Sequence, residues 1–375
     1  MKKAGLRDIK KRNSQIILGL ILESGPLSRI EIAKYTKLSP STVTVLVNEM
    51  IEKGLLKESG VSSSTGGRKR IELSINSAFG DICIIDIKRK GAVLNFYDMN
   101  LNELETVPVT NHFITGNDLL LSISSSMYSY YKENESRKSR VIGIGLLFHE
   151  DVQPSDCNVI YSTSLSSANI SLREALLTQF RIPVIEEYMS ELSIWKLLNE
   201  GENKSLNNAH ISIGNSILVS ITLEGKPLKL NGGRFSDITP LIFNNDDDIR
   251  QLNMLEELYS KGIQSEEKEE EKEKEQRHSQ TNIQTSGQNN IIAFLSKQIT
   301  NAIVSLCTLF SLDTVYLSGS ITRSKKFMRA IREMTRVKLA SALAPDIVVL
   351  NTVQQPIADL LAKKVRCSFF DTISI

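Results

Sequence analysis

The chain has 375 residues with 45 basic and 43 acidic side chains, and 41% of its residues are hydrophobic. These values are typical of a soluble globular protein with two or three domains, and no apolar run approaches the roughly 18 residues that a membrane helix needs. The four cysteines form no CxxC pair, which excludes a disulfide scaffold, argues against a thiolate zinc site and favours a location in the reducing cytoplasm.

Charge is distributed unevenly along the chain. Residues 1–80 hold 14 Lys and Arg against 7 Asp and Glu, whereas the formal net charge of the whole chain is only +2. A basic end attached to an acidic body is expected when that end contacts a polyanion such as DNA.

The first two helices are predicted from their caps and from apolar spacing. Asn13 is expected to cap the first helix, and Gly25-Pro26 ends it. The apolar residues of this helix recur at helical spacing: Ile16, Ile17, Leu20 and Ile21. Ser28 and Glu31 have the spacing of a capping box, so a second, short helix is expected to begin directly after Ser28.

A third helix is predicted to begin at Ser39-Pro40, because Pro is favoured at the first helical position, and to end at Gly54. One face is apolar and is expected to be buried: Val43, Leu46, Val47, Met50 and Ile51. The residues off this face, together with the cap, suit phosphate and base-edge contacts in a major groove. They are Ser39, Ser41, Thr42, Thr44, Val45 and Asn48.

A wing is predicted after the third helix. Residues 55–58 and 70–75 have the pattern of two strands, and a Ser/Gly-rich loop joins them. The basic side chains at the end of this loop, Arg68, Lys69 and Arg70, are expected to contact phosphates or a narrow minor groove. Residues 1–78 are therefore predicted to form a winged helix-turn-helix domain that binds double-stranded DNA. The alternative is that these polar residues only solvate a small helical subdomain.

From residue 80 onward strands and helices alternate, which predicts mixed α/β sheets covered by helices. The predicted strands are residues 82–87, 92–97, 141–147, 182–185, 210–213, 217–223, 314–317 and 347–350. The predicted helices are residues 118–133, 172–180, 191–199, 291–310, 324–343 and 357–364. Residues 264–290 combine a dense charge run with a polar tail, and we expect a solvated helix or a disordered insertion there.

Several short motifs follow the helix-turn-helix in a fixed order. They are Gly66-Gly67-Arg68-Lys69, a strand that ends in Asp86, Gly143-Ile144-Gly145, Pro183-Val184-Ile185-Glu186, residues 254–260, and Val315-Tyr316-Leu317-Ser318-Gly319. In this order and spacing the chain resembles, over almost its whole length, the sugar-responsive repressors of the ROK family. The resemblance implies that residues 79–375 form an α/β domain of the actin-like ATPase (RNase H-like) fold that dimerises and binds an effector.

The catalytic base of the ROK sugar kinases is missing from the chain. The resemblance places that base at Tyr188, and a phenol is a poor general base at neutral pH. Glu186 and Glu187 are neighbours on a strand, so at most one of them faces a site. An ordinary exposed pair at a strand end is the favoured interpretation of these two residues.

The phosphate, sugar and zinc segments of the family are altered as well. After Asp86, where the family has a glycine loop for phosphate, the chain has Lys88, Arg89 and Lys90, and of the second glycine-rich loop only Gly214 remains. Residues 232–240 lack the Glu and His that the family uses for sugar and zinc, and no cysteine lies between residues 240 and 254. We therefore expect no catalytic site, no cofactor and no metal.

Two functions from different classes fit these patterns. The first is a transcriptional regulator, expected to repress carbohydrate genes, in which at least two chains pair on a palindromic operator. A sugar or sugar phosphate is its expected effector. The second is a sugar kinase with an added DNA-binding end. The intact winged helix and the altered kinase motifs favour the regulator.

Overall fold

The computed structural model describes residues 6–61, 70–135, 140–149, 152, 154–162, 167–200, 206–214, 216–228, 230, 236–243, 249–250, 252, 282–339, 343–350 and 357–372. The chain divides into two compact units. The first unit contains Met1–Glu187 and Pro356–Ile375, and the second contains Tyr188–Gln355. The proposed domain boundary at residues 78/79 lies inside the first unit and stays a prediction.

The first unit begins with three helices and a small sheet. The helices are α1 (Leu6–Ser24), α2 (Arg29–Thr36) and α3 (Pro40–Glu52). The wing strands β2 (Leu56–Val61) and β3 (Ile71–Ile75) pair antiparallel, and a short strand β1 (Leu27–Ser28) adds to the other edge of β3. This is the arrangement of a winged helix-turn-helix.

Local capping places the second and third helices. Ser28 accepts a hydrogen bond from the backbone N–H of Glu31, whose carboxylate accepts from the backbone N–H of Ser28, so the predicted capping box is confirmed. Ser39 caps α3 by accepting from the N–H of Thr42. Gly54 follows α3 with φ +75°, the left-handed conformation expected of it.

The predicted start of α1 is wrong, and the buried face of the helix differs in part from its apolar positions. Asn13 lies in the middle of this helix and is not its cap, because helical residues begin at Leu6. The buried side chains are Ser14, Ile17, Leu18 and Ile21, whereas Ile16 is exposed. The helix extends toward its N-terminus, where Lys10 pairs with Glu49 of α3 at 2.6 Å.

A five-stranded sheet follows in the first unit, with the order β10-β7-β4-β5-β6. Its strands are β4 (Asp81–Lys88), β5 (Gly91–Tyr97), β6 (Glu103–Thr110), β7 (Val141–Phe148) and β10 (Val184–Tyr188). Strands β4, β5 and β6 form an antiparallel meander, and β7 joins β4 in parallel. This unit also contains α4 (Gly116–Glu133), the hairpin β8–β9 (Val159–Ser162 and Ser167–Ile170) and α5 (Leu172–Phe180).

The glycines of the Gly143-Ile144-Gly145 motif let a helix approach the sheet. A Cβ atom at Gly143 would lie 2.5 Å from Cγ1 of Val365, and one at Gly145 would lie 2.7 Å from Cγ of Leu361. Both partners are buried residues of the C-terminal helix, which spans Ile357–Thr372. The motif is therefore a close-packing surface for that helix.

The second unit repeats the strand order around its own core. Its sheet has the order β13-β12-β11-β15-β16, with β14 also pairing with β12. The strands are β11 (Asn208–Ile213), β12 (Ile217–Leu223), β13 (Lys226–Pro227), β14 (Ser236–Asp237), β15 (Thr314–Ser318) and β16 (Asp346–Val349). In both units an antiparallel pair continues into parallel strands, as the actin-like fold expectation requires.

The described helices of the second unit are α6 (Met189–Glu200), the short α7 (Thr239–Ile242), α8 (Asn282–Phe310) and α9 (Lys325–Lys338); α10 is the C-terminal helix Ile357–Thr372 of the first unit. Helix α8 begins nine residues before the predicted start. Residues 282–290, which were predicted to end the insertion, therefore belong to this helix. Residues 264–281 of that insertion, and the motif at residues 254–260, lie outside the described residues.

Helix α8 contains a segment that is long and apolar enough to cross a membrane, although polar residues interrupt it and no uninterrupted apolar run of that length occurs. Ile291–Phe310 has the length and mean hydropathy, 1.4, of a membrane span. Its residues Leu295, Ile299 and Ile303 are buried in the core of the second unit, and two polar residues on the same helix, Ser296 and Thr300, are buried as well. This packing is that of a core helix of a globular unit.

Candidate nucleic-acid interface

Helix α3 separates a buried face from an exposed polar face. Val43, Leu46, Val47 and Met50 are buried and hold the helix against the rest of the three-helix core. Ser39, Ser41, Thr44, Val45 and Asn48 are all exposed, and Thr42 is half-buried. The predicted contact residues of this helix therefore share one accessible surface, which we call the α3 face.

The N-terminus of α3 carries a network of hydroxyl groups. The Oγ atom of Ser39 lies 2.9 Å from Oγ of Ser41 and 2.8 Å from Oγ1 of Thr42. The same Ser39 Oγ accepts the capping hydrogen bond at 3.1 Å. Clustered hydroxyls beside the positive end of a helix suit a contact with a DNA phosphate, which fixes register and orientation.

The middle of the α3 face offers fewer polar contacts than the sequence suggests. The Thr44 hydroxyl donates to the carbonyl of Pro40 at 2.8 Å, so its proton is already used. Val45 is 56% exposed, and this exposed aliphatic side chain suits a thymine methyl group.

Asn48 is held by a residue that the sequence analysis did not select. The guanidinium of Arg29, at the start of α2, donates to Oδ1 of Asn48 at 3.1 Å. The same guanidinium lies 3.6 Å from the carboxylate of Glu58 on strand β2. Arg29 therefore links the α3 face to the wing and leaves the amide NH2 group of Asn48 for a base acceptor.

Only part of the basic wing lies within the described residues. Arg70 is exposed directly before β3, and its charge helps to keep the pKa of Glu31 below the usual range, after the larger effect of the hydrogen bonds from Ser28. Arg68 and Lys69 lie outside the described residues, so their roles stay predictions.

Comparisons with known proteins bear on the whole chain. Residues 13–69 match the MarR family. Over 92% of its length the chain is 23% identical to the DNA-binding transcriptional dual regulator NagC of Escherichia coli K12, and the match covers 89% of that protein. A crystal structure of a ROK family transcriptional regulator, homologous to the E. coli MLC protein, matches with a TM-score of 0.62 at 17% identity, covering 96% of this chain and 98% of that one. These matches, which span almost the whole chain, support a ROK-family transcriptional regulator.

A further relative supports the same family. The xylose repressor of Bacillus subtilis strain 168 is 22% identical over 57% of this chain and 56% of its own length. The predicted fold is confirmed: a winged helix-turn-helix precedes an α/β body with the actin-like ROK fold.

Asp86, where the sequence resembles the start of the first phosphate loop of the ROK kinases, is paired with side chains of this protein. Oδ1 of Asp86 lies 2.9 Å from Nε2 of His149, and Oδ2 lies 2.7 Å from Nζ of Lys88. Burial by itself would raise the pKa of Asp86, but His149 and Lys88 outweigh this effect and hold it below the usual range. Arg89 pairs with Asp156 at 3.6 Å and lies over the ring of Phe113. The charges of Asp86, Lys88 and Arg89 are thus each paired with a side chain of opposite charge in the same unit.

The pair Glu186 and Glu187 differs from the expectation of two exposed carboxylates. Glu187 is buried and accepts a hydrogen bond from Nζ of Lys364 on α10 at 2.8 Å, whereas Glu186 is half-buried. Tyr188, where the resemblance places the kinase base, is also buried. Lys364 neutralises Glu187 from 177 residues away in the sequence, and no local pattern signals such a contact.

The α3 face predicts a defined loss of specificity. Replacing Asn48 by Ala is expected to cost about 1 to 3 kcal/mol at one base pair, because an amide–base contact is lost. Replacing Arg29 by Ala is expected to weaken discrimination at the same base pair, since Arg29 orients Asn48. Binding of the two single variants and the double variant to operator and single-base variants of it measures this coupling. Additive losses would show that Arg29 does not act through Asn48.

For the wing, we expect a loss of DNA affinity that does not depend on the DNA sequence. Replacing Arg70 by Ala, or Arg68 and Lys69 by Ala together, is expected to weaken binding to operator and scrambled DNA equally. The salt slope of log K should fall by about 0.9 for each phosphate contact that is lost. Binding across a salt series checks this, with Lys34→Ala, an exposed lysine on α2, as the control. Base-specific losses in the wing variants would contradict the assignment.

Proposed function

We propose that this protein is a repressor that recognises a palindromic operator through the α3 face and its wing. The observation that carries the proposal is the exposed set of Ser39, Ser41, Val45 and Asn48 on a helix that is fixed by a buried apolar face. A rigid helix with short polar side chains near its N-terminus suits base recognition in the major groove. The basic wing adds affinity that does not depend on sequence.

The body of the protein is proposed to pair two chains and to bind an effector in the cytoplasm. Two α3 faces related by a twofold axis would contact half-sites about one helical turn apart, or a multiple of it. Relatives named N-acetylglucosamine repressor and xylose repressor make a sugar or sugar phosphate the effector class to test. The dimer is then expected to exist in a conformation that binds DNA and one that does not. The effector releases DNA only to the extent that it binds the second conformation more tightly than the first.

In-vitro selection of bound DNA from a random pool tests this function directly. The expected result is a palindromic consensus whose half-sites are bound by a dimer in sedimentation or mass photometry. N-acetylglucosamine, xylose and their phosphates are then added to the operator complex, and at least one is expected to lower its affinity. Failure to enrich any sequence from the pool would contradict sequence-specific binding.

The kinase alternative is proposed to be excluded by the ion-paired Asp86 and by the position of Tyr188. ATP-dependent phosphorylation of glucose, xylose or N-acetylglucosamine is expected to lie at least about 10²-fold below kinase rates, because the general base is missing. Incubation with radiolabelled ATP and each sugar measures this. Turnover at kinase-like rates that disappears in Asp86→Asn would establish the enzyme instead.

A further inference from the structure

A small cavity opens between helix α9 and the start of strand β16 in the second unit. Its volume is about 230 Å³, and its lining includes Arg332, Thr335 and Arg336 from α9 together with Asp346 and Ile347 from β16. The cavity lies at the N-terminal end of β16, whereas Ser318 and Gly319, the segment that resembles the nucleotide side of the ROK fold, lie at the C-terminal end of the parallel strand β15.

Two guanidinium groups in this cavity have no carboxylate partner among the described residues. Arg332 and Arg336 are one helical turn apart and exposed, and within the described part of the chain neither forms an ion pair. Arg332 donates only to the carbonyl oxygen of Ile347, at 3.3 Å. By contrast Arg329, on the same helix but outside the cavity, pairs with Glu333 at 2.8 Å. Arg332 and Arg336 therefore retain most of their donors for a ligand.

Thr335, between these arginines, holds a buried hydroxyl without a partner. Its side chain is 1% exposed, and Oγ1 accepts and donates no hydrogen bond. Other helical hydroxyls of this chain donate to the carbonyl four residues earlier at 2.7 Å, as Ser124, Ser296, Thr300 and Thr308 do. A buried hydroxyl left unsatisfied destabilises a fold, so a polar ligand that pairs with it gains from the interaction.

We propose that this cavity binds the oxyanion group of a small metabolite, either a phosphate or a carboxylate. Arg332 and Arg336 supply charge-assisted hydrogen bonds in the fork geometry that oxyanions prefer, and the buried Thr335 hydroxyl supplies one more donor when the ligand displaces the atoms that cover it. Asp346, which also lines the cavity, accepts from a hydroxyl or amino group of the ligand. The volume exceeds that of a single oxyanion, which leaves room for a short polar carbon chain.

This site is independent of the proposed operator recognition, because it lies in the second unit and uses none of the DNA-contact residues. Isothermal titration of the full-length protein with inorganic phosphate and with malonate, at constant ionic strength in chloride, tests it. Saturable binding of either anion is expected. Phosphate without malonate identifies a phosphate ester as the ligand class, and malonate without phosphate identifies a carboxylate.

Four variants assign the binding to this cavity. Arg336→Gln is expected to weaken binding about 10- to 100-fold, the loss of a charge-assisted hydrogen bond, and Arg329→Gln, the matched control outside the cavity, is expected to leave it unchanged. Asp346→Asn should strengthen binding of inorganic phosphate several-fold, because it removes a nearby negative charge, roughly as Coulomb's law requires.

The fourth variant, Thr335→Val, separates the site from a general charge effect. It should raise the Tm of the ligand-free protein by about 2 to 4 °C, because an unsatisfied buried hydroxyl is removed. It should also weaken anion binding. No saturable binding of either anion, or equal losses in Arg336→Gln and Arg329→Gln, would overturn the proposal, whatever the outcome of the DNA selection.

Discussion

Replacing Gly145 by valine is expected to lower the free energy of unfolding of the first unit by about 3 kcal/mol, because overpacked cores lose about this much. A Cβ atom at this position would lie 2.6 Å from Ile84 and 2.7 to 2.8 Å from two atoms of Leu361. Both residues are fully buried, so neither has room to move aside. Urea denaturation followed by far-UV circular dichroism measures the loss.

Gly214→Ala is the control for this experiment. Gly214 directly follows β11 in the second unit, and a Cβ atom there would meet its nearest neighbour at 3.9 Å, an ordinary contact distance. It is expected to change the free energy of unfolding by less than about 1 kcal/mol. A Gly145→Val protein as stable as Gly214→Ala would show that α10 does not pack on this glycine strand.

Acidification is expected to destabilise the second unit through His210. This residue of β11 is 1% exposed, its Nε2 lies 2.8 Å from Oγ of Ser318, and burial lowers its pKa from 6.5 to about 3. Between these two values the unfolded chain binds a proton that the folded unit excludes. The stabilising effect of neutral His210 is therefore complete above pH 6.5 and is lost as the pH falls. The loss is about 2 kcal/mol between pH 6.5 and 5.

His210→Asn removes this titration and should flatten the stability profile between pH 6.5 and 5, although the variant is less stable at pH 7. Trp195, the single tryptophan of the chain, lies in the second unit and reports its unfolding by fluorescence. His112→Asn, at an exposed position of the first unit, should keep the wild-type profile. If the free energy of unfolding of His210→Asn fell with decreasing pH as steeply as that of the wild type, carboxylates alone would cause the loss of stability.

The elements that were predicted correctly are those specified by neighbouring residues. The capping box at Ser28 and Glu31, the Pro40 start of α3 and the Gly54 stop involve contacts within one turn, so a short window of sequence contains all the partners. Strand β6 was missed because it is a half-exposed edge strand with charged residues and a proline, Pro108, and it lacks a buried apolar run. The hairpin β8–β9 was missed because Ile160 and Tyr161 are exposed and show no alternating burial.

The sequence predicts which residues of the candidate site are exposed. It does not predict the contacts that link them to other elements. The α3 face follows from helical periodicity, which assigns Asn48 and Val45 to the outside. The contact between Arg29 and Asn48 joins residues 19 apart, and the contact between Glu58 and Arg29 depends on how the wing folds back. The start of α8 at Asn282 was missed because polar residues without an apolar stripe give no helical signal.

The position of α10 has a consequence for folding during synthesis. This helix covers Gly143 and Gly145 in the first unit, yet the ribosome makes it only after all of the second unit. The glycine strand therefore stays uncovered until translation reaches residue 357, and Gln15 of α1 also waits for this helix, because its side-chain amide donates to the carbonyl oxygen of Asp371. A chain cut short within the second unit would therefore expose the apolar surface of this sheet and be a substrate for chaperones and proteases.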